Sequence, residues 1–467
     1  MRRLAVTVLV AFSFAGVRIA TAPAAADPRM KGAFRRAPVN GWTYVHLEGT
    51  PSEIGFQNGS LLATEIQDLQ KVFALELKHD SKKDWTFFRT AARDVLWPHI
   101  EQEYRDELRG IADGLAAKGV ALDLWDVVAI NADLEWSYYV NVYDKTHPSP
   151  ASTHVTAGDH CSAFVATGSY TKDHRIVIAH NNWSSYMDGA RWAMAFDVVP
   201  AHGHHFIMDG LPGLIHSADD FGLNDAGIVI TETTITGFSG YDINGIPEFV
   251  RARKAMQYST SIDDVARIFK DGNNGGYAND WLIADVNRNE IASLELGLKH
   301  VTLERKTDGY FVGSNFPINP ELAAQETDYD LKNMSLSANA RHKRWEQLMA
   351  EHKGQIDLAM AQTFLGDHVD SFTGKNEPSE RTLCGHIDRS ARGSGTWMPA
   401  YGIAGAVQNK ATDATLASHL SFTAAMGHAC GVDFIAADHL KAHPEFAWQE
   451  PALRDLKSQP WTTIAGK

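Results

Sequence analysis

The chain has 467 residues, of which 44% are hydrophobic and 10% aromatic, a composition typical of a packed globular protein rather than a disordered one. Its formal net charge of −14 argues against nucleic acid or an anionic membrane as the main partner. The chain has only three cysteines, Cys161, Cys384 and Cys430. An odd count leaves at least one thiol free, which is unusual for an exported protein.

The first 26 residues have the layout of a secretory signal peptide. Arg2 and Arg3 form a positive start, an apolar run covers residues 4–17, and small residues end at Ala26. The apolar run is too short to span a bilayer comfortably, which favours cleavage over a membrane anchor. No second apolar run approaches spanning length. We therefore expect a periplasmic or secreted protein that has no integral membrane segment once the signal peptide is removed.

The segment covering residues 27–160 is expected to be mostly helical. Apolar residues recur at intervals of three and four within residues 62–77, which indicates one face of an amphipathic helix. A second helical stretch covers residues 90–117 and should kink or divide at Pro98. A third helix follows Asp123, which is a suitable N-cap residue.

The pattern changes at Cys161. The preceding residues 145–160 are rich in Pro, Gly, Ser, Thr and His, which predicts an exposed loop or linker. Runs of β-branched and apolar residues then predict strands at 161–167, 175–180, 192–199, 227–235, 281–285 and 291–296. Helical patterns return at 248–258, 262–269 and 338–351. The sequence therefore predicts an α+β fold with stacked sheets between helical layers, in which residues 161–467 form the catalytic domain.

The position of Cys161, at the start of a strand and directly after a polar loop, is the most informative feature. A thiol needs a base or a lowered pKa before it becomes a good nucleophile. Cleavage between His160 and Cys161 would free an α-amino group, whose ordinary pKa of roughly 7.7–8.0 lets it act as that base near neutral pH. From position alone, an ordinary buried strand residue is an equally good interpretation of Cys161.

Seven short segments resemble motifs of the acyl-transferring N-terminal-nucleophile hydrolases, a group that holds penicillin acyltransferase-like peptidases and phospholipase B-like proteins. These segments are GTPSEIGFQNG (49–59), GIADG (110–114), HCSAF (160–164), IAHNNW (178–183), GLNDAG (222–227), TETTI (231–235) and NDWLIAD (279–285). Their order and spacing extend the resemblance over nearly the whole chain after residue 26. The resemblance implies a four-layer αββα sandwich with an N-terminal helical segment, and a precursor that cuts its own chain.

The resemblance also implies roles for individual residues. Cys161 would be the nucleophile, and Asn279 would be an oxyanion-hole side chain that stabilises developing negative charge. His180 would orient the thiol or receive substrate, although His180 and Asn181 could instead only satisfy backbone groups at a strand end. The residues expected to line the substrate cleft are Asn181, Trp183 and Glu232.

Three of these positions leave an alternative open. Trp183 stands where the penicillin acyltransferase-like pattern tends towards aspartate, which is closer to the phospholipase B-like branch and leaves the choice between amide and ester substrates open. Glu232 in an apolar strand needs a partner, and could pair with Arg251 or Arg341 as part of the structure. Asn279 could cap a turn, a common use of asparagine.

Two further segments suggest metal ions but fit poorly. The segment HGHH at residues 202–205 lacks the helical His-x-x-x-His spacing and is better explained as a polar turn. Residues 285–296 begin like a calcium loop, but the sixth position is Glu290 and the twelfth is Leu296, so a hairpin turn is expected. Phosphate-binding, dinucleotide-binding and serine-hydrolase motifs are absent from the sequence. We therefore expect no metal site and no cofactor.

The two remaining cysteines have two interpretations. Cys384 and Cys430 could form a disulfide in an oxidising compartment and leave Cys161 free. All three could instead be buried small hydrophobic residues. Sequence alone does not fix the connectivity.

The sequence as a whole predicts an exported enzyme that cleaves the His160–Cys161 bond, keeps the two fragments together, and hydrolyses or transfers acyl groups of linear amides. Hydrolysis of lipid-like acyl esters is the alternative within the same family. Two hypotheses come from other classes, a non-catalytic binding protein on the same scaffold and a metallohydrolase built on the histidine-rich turn. The expected partner is a small acyl-amide or lipid-like substrate.

Overall fold

The computed structural model describes residues 27–148, 161–218, 221–395 and 397–467. The predicted signal peptide at residues 1–26 therefore lies outside the described residues. The same is true of His160, which forms one side of the predicted cleavage site, and of most of the predicted linker.

The described chain forms fifteen β-strands and fourteen α-helices. The strands are β1 (Phe34–Arg35), β2 (Thr43–Gly49), β3 (Cys161–Thr167), β4 (Val177–Ser185), β5 (Met194–Pro200), β6 (Phe206–Gly210), β7 (Phe221–Asn224), β8 (Ile228–Thr234), β9 (Asn279–Asp285), β10 (Glu290–Leu296), β11 (Val301–Lys306), β12 (Gly309–Gly313), β13 (Ala404–Asp413), β14 (Ser421–Met426) and β15 (Thr462–Ala465). The helices are α1 (Pro51–Leu61), α2 (Ala63–Ser81), α3 (Trp85–Ala91), α4 (Gln102–Ala117), α5 (Leu124–Asn131), α6 (Trp136–Thr146), α7 (Tyr186–Gly189), α8 (Glu248–Tyr258), α9 (Ile262–Lys270), α10 (Pro320–Glu326), α11 (Ser337–Glu351), α12 (Leu358–Leu365), α13 (Ala414–Ala417) and α14 (Ala436–Ala442).

The strands form two sheets that pack against each other. The larger has nine strands in the order β1-β2-β5-β6-β7-β8-β9-β10-β11, and the smaller has six in the order β12-β3-β4-β13-β14-β15. Among the named strands of the described chain, every pairing is antiparallel except that of β2 with β5. Phe221 of β7 meets Phe422 of β14 with ring centroids 5.5 Å apart, so apolar side chains fill the space between the sheets.

Helices cover the outer faces of both sheets. On the six-stranded sheet, the Phe164 ring lies 5.3 Å from Trp345 of α11 and 5.9 Å from Phe364 of α12. On the nine-stranded sheet, Trp281 of β9 stacks on Phe269 of α9 with centroids 3.9 Å apart. These contacts confirm the predicted α+β, four-layer αββα architecture.

Several local predictions are confirmed by the helix ends and turns. Asp123 caps α5 and forms a reciprocal capping box with Asp126, which satisfies amide groups that a helix start leaves unpaired. The predicted division at Pro98 is present, since α3 passes through a π-helical turn and the 3-10 turn Trp97–His99 before α4 begins. β9 and β10 form the predicted hairpin.

The N-terminal segment differs from the prediction in one respect. Besides helices α1 to α6, it supplies β1 and β2 to the nine-stranded sheet, and β2 pairs with β5 along its whole length. Five consecutive residues of β2 are buried, and its sequence alternates apolar and polar residues over Val45-His46-Leu47-Glu48, but this run is not among the predicted strands. In the part of the chain that the structure describes, no helix has the length and hydropathy needed to cross a bilayer.

Candidate active site

Cys161 is the first residue of β3 and is buried, with 2% of its surface exposed. In the register of β3 and β4, Cys161 lies opposite Asn182 and Ala163 lies opposite His180. Because directly opposed residues share a face and alternate residues point the same way, Cys161 and His180 lie on one face of the six-stranded sheet. The local structure therefore places the predicted nucleophile and histidine side by side.

Glu232 and Asn279 reach the same place from the nine-stranded sheet. Cys161 Sγ lies 4.0 Å from Glu232 Oε1, and one polar side-chain atom from each of Cys161, His180 and Glu232 lies within 4.8 Å of the other two. In the amide orientation that satisfies both neighbours, Asn279 Nδ2 donates to Glu232 Oε2 at 2.8 Å and to the Ala278 carbonyl at 3.0 Å. Four residues that the sequence analysis selected thus converge between the two sheets.

His180 is held in its neutral form. Burial lowers its pKa well below the ordinary value, and the positive charge of Lys410 lowers it further, with a partial offset from a hydrogen bond to the Glu232 backbone. Lys410 lies directly opposite His180 on β13. A neutral imidazole at pH 7 can accept or relay a proton, whereas an imidazolium could only donate one.

Lys410 belongs to a buried charged pair that sequence reasoning missed. Its Nζ lies 3.2 Å from Asp209 Oδ2, and both side chains are fully buried. Gln408 Nε2 donates to the same oxygen at 2.6 Å. Lys410 lies in a strand that the sequence analysis did not identify, and Asp209 comes from β6, so only the folded arrangement brings them together.

The backbone of Cys161 is held by two further residues that the sequence analysis did not place there. Its amide donates to Asn315 Oδ1 at 3.2 Å, and Arg341 donates to its carbonyl and, at 3.1 Å, to Ser162 Oγ. Arg341 also donates to Asn315 Oδ1 at 2.7 Å, while Asn315 Nδ2 donates to the Thr234 carbonyl at 2.8 Å. Asn315 has a positive φ of 67°, a conformation that asparagine tolerates better than most residues. That tolerance is the only sequence signal for it.

Asn181 and Trp183 lie on the opposite face of β4 from His180. Asn181 Nδ2 donates to the Leu365 carbonyl at 3.0 Å, and the Trp183 indole donates to the Leu383 carbonyl at 3.3 Å. The Arg341 guanidinium lies 4.3 Å from the centroid of the Trp183 ring. The structure therefore does not bring these two side chains into the Cys161 cluster, and their contact with substrate stays a prediction.

A cavity of about 410 Å³ lies beside the cluster. The lining residues do not include Cys161, His180, Glu232 or Asn279, but they do include Tyr277, whose hydroxyl accepts a hydrogen bond from Thr234 at the end of β8. Burial raises the pKa of Tyr277 well above its ordinary value, and Glu232 and Cys161 add to that rise. The remaining wall combines apolar and carboxyl side chains, including Leu77, Trp136, Val140, Met187, Trp448, Glu76, Asp133 and Asp188. This mixture suits a ligand with an apolar part and a polar part.

Comparison with known proteins identifies the family. The family model for phospholipase B matches residues 70–460. The chain belongs to the phospholipase B family. Its relatives include an uncharacterised protein of Archaeoglobus fulgidus, 25% identical over 50% of this chain and 40% of that protein. They also include a phospholipase B-like 1 protein of Caenorhabditis elegans, 25% identical over 63% of this chain and 56% of that protein.

These matches cover only part of each relative. Phospholipase B-like protein C of Dictyostelium discoideum is 24% identical over 42% of this chain and 38% of its own length. The chain thus spans about half the length, or less, of these three relatives. Among solved structures, a mutant conjugated bile acid hydrolase of Clostridium perfringens covers 56% of this chain and 88% of its own, with 11% identity and a TM-score of 0.33. That likeness is too weak to bear on chemistry.

The histidine-rich segment of this phospholipase B family chain forms the predicted turn between β5 and β6. His204 Nδ1 lies 2.6 Å from Asp225 Oδ1, and His205 Nε2 lies 2.5 Å from Asp197 Oδ1. Within the described ranges, this turn belongs to no cluster of three or more metal-binding side chains. The imidazoles of His204 and His205 are instead each paired with a carboxyl group.

The disulfide considered from sequence is not formed in the structure. Cys384 and Cys430 are both free cysteines. Each sulfur lies close to the Nε2 atom of His386, at 3.6 Å for Cys384 and 3.5 Å for Cys430. The two residues are therefore near each other, as a disulfide would require, but they share a histidine neighbour instead of a bond.

Proposed function

We propose that this phospholipase B family chain is an exported, self-cleaving acyl hydrolase. It cuts the His160–Cys161 bond and then uses Cys161 to cleave the acyl bond of linear amides. The observation that carries this proposal is the position of Cys161. It is the first residue of a buried strand, its thiol lies beside Glu232 and His180, and its backbone nitrogen is held by Asn315.

In the self-cleavage step, the Cys161 sulfur attacks the carbonyl carbon of His160 and the thiol proton passes to a nearby acceptor. Glu232, whose Oε1 lies 4.0 Å from Sγ, is the acceptor that the geometry favours. Glu232 then passes this proton to the Cys161 nitrogen as the bond from that nitrogen to the His160 carbonyl carbon breaks, which leaves a thioester and a free amine. Water hydrolyses the thioester, which gives a carboxylate on His160 and a free amino group and thiol on Cys161.

In the processed enzyme, the new α-amino group acts as the base for the Cys161 thiol. Asn315 Oδ1, which already accepts from this nitrogen, would fix the direction of its lone pair. The Arg341 guanidinium, 2.7 Å from the same oxygen, places a positive charge close by and disfavours the protonated amine. Both effects support an amino group that is neutral, and therefore basic, near pH 7.

Asn279 is proposed as a donor to the oxyanion of substrate. Its two N–H bonds are directed at Glu232 and at the Ala278 carbonyl before substrate binds. To accept a hydrogen bond from Asn279, the developing oxyanion would have to displace either the Glu232 carboxyl group or the Ala278 carbonyl. Since the charge on a tetrahedral intermediate is largest at its oxygen, this exchange favours the intermediate over the bound substrate.

The first experiment compares the purified chain with Cys161→Ala on a denaturing gel and by intact mass. We expect two fragments from the natural chain, the heavier beginning at Cys161 and the lighter beginning at residue 27, and one uncut chain from the variant. His204→Ala, on the exposed turn, is the matched control and should be cut normally. An uncut natural chain, or a cut Cys161→Ala chain, would show the proposed mechanism to be wrong. A lighter fragment that keeps residues 1–26 would contradict export.

Hydrolysis of lipid acyl esters is a second candidate, favoured by the match to the phospholipase B family model. The processed chain should be assayed with N-acyl amides and lysophospholipids that carry the same acyl group. We expect turnover of the amides, and Cys161→Ala should lack activity towards both substrates. Turnover of the lysophospholipids alone would replace the amide proposal with the ester one. Activity that survives in Cys161→Ala but is lost to a chelator would support a metallohydrolase instead.

A further inference from the structure

Four side chains capable of binding a metal converge on the outer side of the six-stranded sheet. They come from three parts of the chain: His368 follows α12, Cys384 and His386 lie on one irregular segment, and Cys430 follows β14. One ligand atom from each lies within 4.8 Å of every other. Cys384 and His386 are fully buried, and His368 and Cys430 are half-buried. None of the four belongs to the Cys161 cluster.

The spacing of these atoms matches a tetrahedral zinc site. Zinc binds thiolate sulfur at about 2.3 Å and imidazole nitrogen at about 2.0–2.1 Å, so the sulfur-to-nitrogen edge of a tetrahedron is about 3.5 Å. In the structure, His386 Nε2 lies 3.6 Å from Cys384 Sγ and 3.5 Å from Cys430 Sγ. The rings of His368 and His386 are 5.1 Å apart and inclined at 67°, so they converge instead of stacking. If these groups only formed thiol–imidazole hydrogen bonds, each thiol would need one imidazole, and the four side chains would not have to converge on one point.

We propose that His368, Cys384, His386 and Cys430 bind one zinc ion. Two sulfur and two nitrogen ligands are a common set for structural zinc, and four protein ligands leave no open position for catalysis. On binding, the two thiols release their protons and the two imidazoles bind in neutral form, so the zinc charge is balanced by two thiolates without any redox change. His386 Nδ1, which faces away from the sulfurs, lies 3.8 Å from Asp388 Oδ1, so the carboxylate is a nearby negative charge and not a hydrogen-bond partner of this ring.

A second group of side chains overlaps at His386 but is already hydrogen-bonded. It consists of His386, Asp388 and His428. His428 Nδ1 lies 2.8 Å from the Val432 carbonyl, and its Nε2 lies 3.0 Å from the Tyr186 hydroxyl. Both ring nitrogens of His428 are therefore occupied, which leaves the cysteine-containing group as the metal site.

The proposed zinc ion would fix a long segment that has little regular structure. Between α12 and β13, the described residues contain a single 3-10 turn, Ile387–Arg389, and isolated bridges. Loops of this length inside a compact domain are uncommon unless something orders them. A metal ion ties this segment to the loop after β14. Because the four ligands meet only in the folded chain, the free energy of metal binding stabilises the fold.

The same segment reaches Cys161 through three contacts in series. The Trp183 indole donates to the carbonyl of Leu383, which precedes Cys384, and the Trp183 ring lies under the Arg341 guanidinium. Arg341 in turn donates to the Cys161 carbonyl. The zinc site is therefore a positioning element behind β4, and its existence does not depend on the reaction proposed for Cys161.

The test is the metal content of the purified full-length chain by elemental mass spectrometry. We expect about one zinc ion per chain, a strong loss of zinc in Cys384→Ser and His368→Ala, and full retention in the two controls Cys161→Ala and His204→Ala. The Cys161→Ala control separates this site from the Cys161, His180 and Glu232 cluster. Removing zinc with a chelator should lower the unfolding temperature of the natural chain by several degrees.

Replacement of zinc by Co²⁺ tests the proposal on the natural chain, so it does not depend on whether Cys384→Ser and His368→Ala fold. The natural chain loaded with Co²⁺ should show a near-ultraviolet thiolate-to-cobalt absorption band, and its two site thiols should react with a thiol reagent only after a chelator is added. A metal-free chain with a Cys384–Cys430 disulfide would overturn the proposal. A Co²⁺ spectrum without the thiolate band, or zinc that persists in Cys384→Ser, would overturn it as well.

Discussion

Asn279 and Glu232 form a hydrogen-bonded pair. The Asn279 amide can donate either to Glu232 or to the oxyanion of a reacting substrate. Asn279 Nδ2 donates to Glu232 Oε2 at 2.8 Å, and Glu232 Oε1 lies 4.0 Å from the Cys161 sulfur. The amide therefore holds the carboxyl group next to the thiol before reaction, and can transfer a hydrogen bond to an oxyanion during it. Both residues are buried, so each polar atom that loses its partner carries a full desolvation cost.

Replacing Asn279 with alanine should slow catalysis more than it weakens substrate binding. Loss of one oxyanion donor lowers kcat by about 10²–10³-fold in comparable sites, or about 3–4 kcal/mol of transition-state stabilisation. Steady-state kinetics of the processed enzyme should show this loss in kcat with KM nearly unchanged. Self-cleavage of the precursor, followed by gel, should also slow, because its tetrahedral intermediate needs the same donor.

The matched control for this prediction is Asn244→Ala, an exposed turn residue whose hydrogen bonds are local to Asp242. It should leave both rates unchanged. If Asn279→Ala raises KM and leaves kcat intact, Asn279 binds substrate and is not an oxyanion donor. If Asn279→Ala is as active as the control, its role is only to hold Glu232.

At the scale of elements, the sequence predicts best where one local pattern decides the structure. The bounds of β3 and α8 match the predicted ones, and the β9–β10 hairpin is predicted although its strands begin one or two residues earlier than expected. The structure explains why the motifs GTPSEIGFQNG and GIADG, which lie in and next to α1 and in α4, contain glycine. A Cβ on Gly55 would lie 1.9 Å from the Glu107 carbonyl oxygen, and one on Gly110 would lie 2.5 Å from that of Ser52. These glycines let the two helix backbones touch.

The rest of the site has no local signature. Lys410 and Asp209 pair across the two sheets, and Asn315 meets Cys161 from 154 positions further along the chain. The register of β4 sends alternate residues to opposite faces, which separates Asn181 and Trp183 from His180 although all three lie in one motif. The pairing of the strands decides which residues of the IAHNNW motif face the thiol. A single sequence does not specify that pairing.

At the scale of the whole molecule, the segments before and after the proposed cleavage site are parts of one core. β2 of the N-terminal segment pairs with β5 along seven residue pairs, and Tyr44 donates to Asp197 Oδ2 at 2.6 Å. Glu107 of α4 forms a buried ion pair with Arg253 of α8 at 3.1 Å. Buried apolar residues of both segments belong to a single hydrophobic cluster. Cleavage before Cys161 would therefore break one bond without exposing this core.

We accordingly predict that the two fragments remain together after cleavage. Separating them would expose the β5 edge of the sheet, unpair the buried Glu107–Arg253 charges and expose the apolar faces of α1 to α6, and each of these changes is costly. Under native conditions the processed protein should elute from a size-exclusion column as one species that contains both fragments, and only a denaturant should resolve them. Residues 161–467 produced alone should be insoluble or unfolded, whereas the uncut Cys161→Ala chain is the folded control. Fragments that elute separately without denaturant would show that the N-terminal segment is a dispensable pro-segment, because the shared sheet would then not hold it.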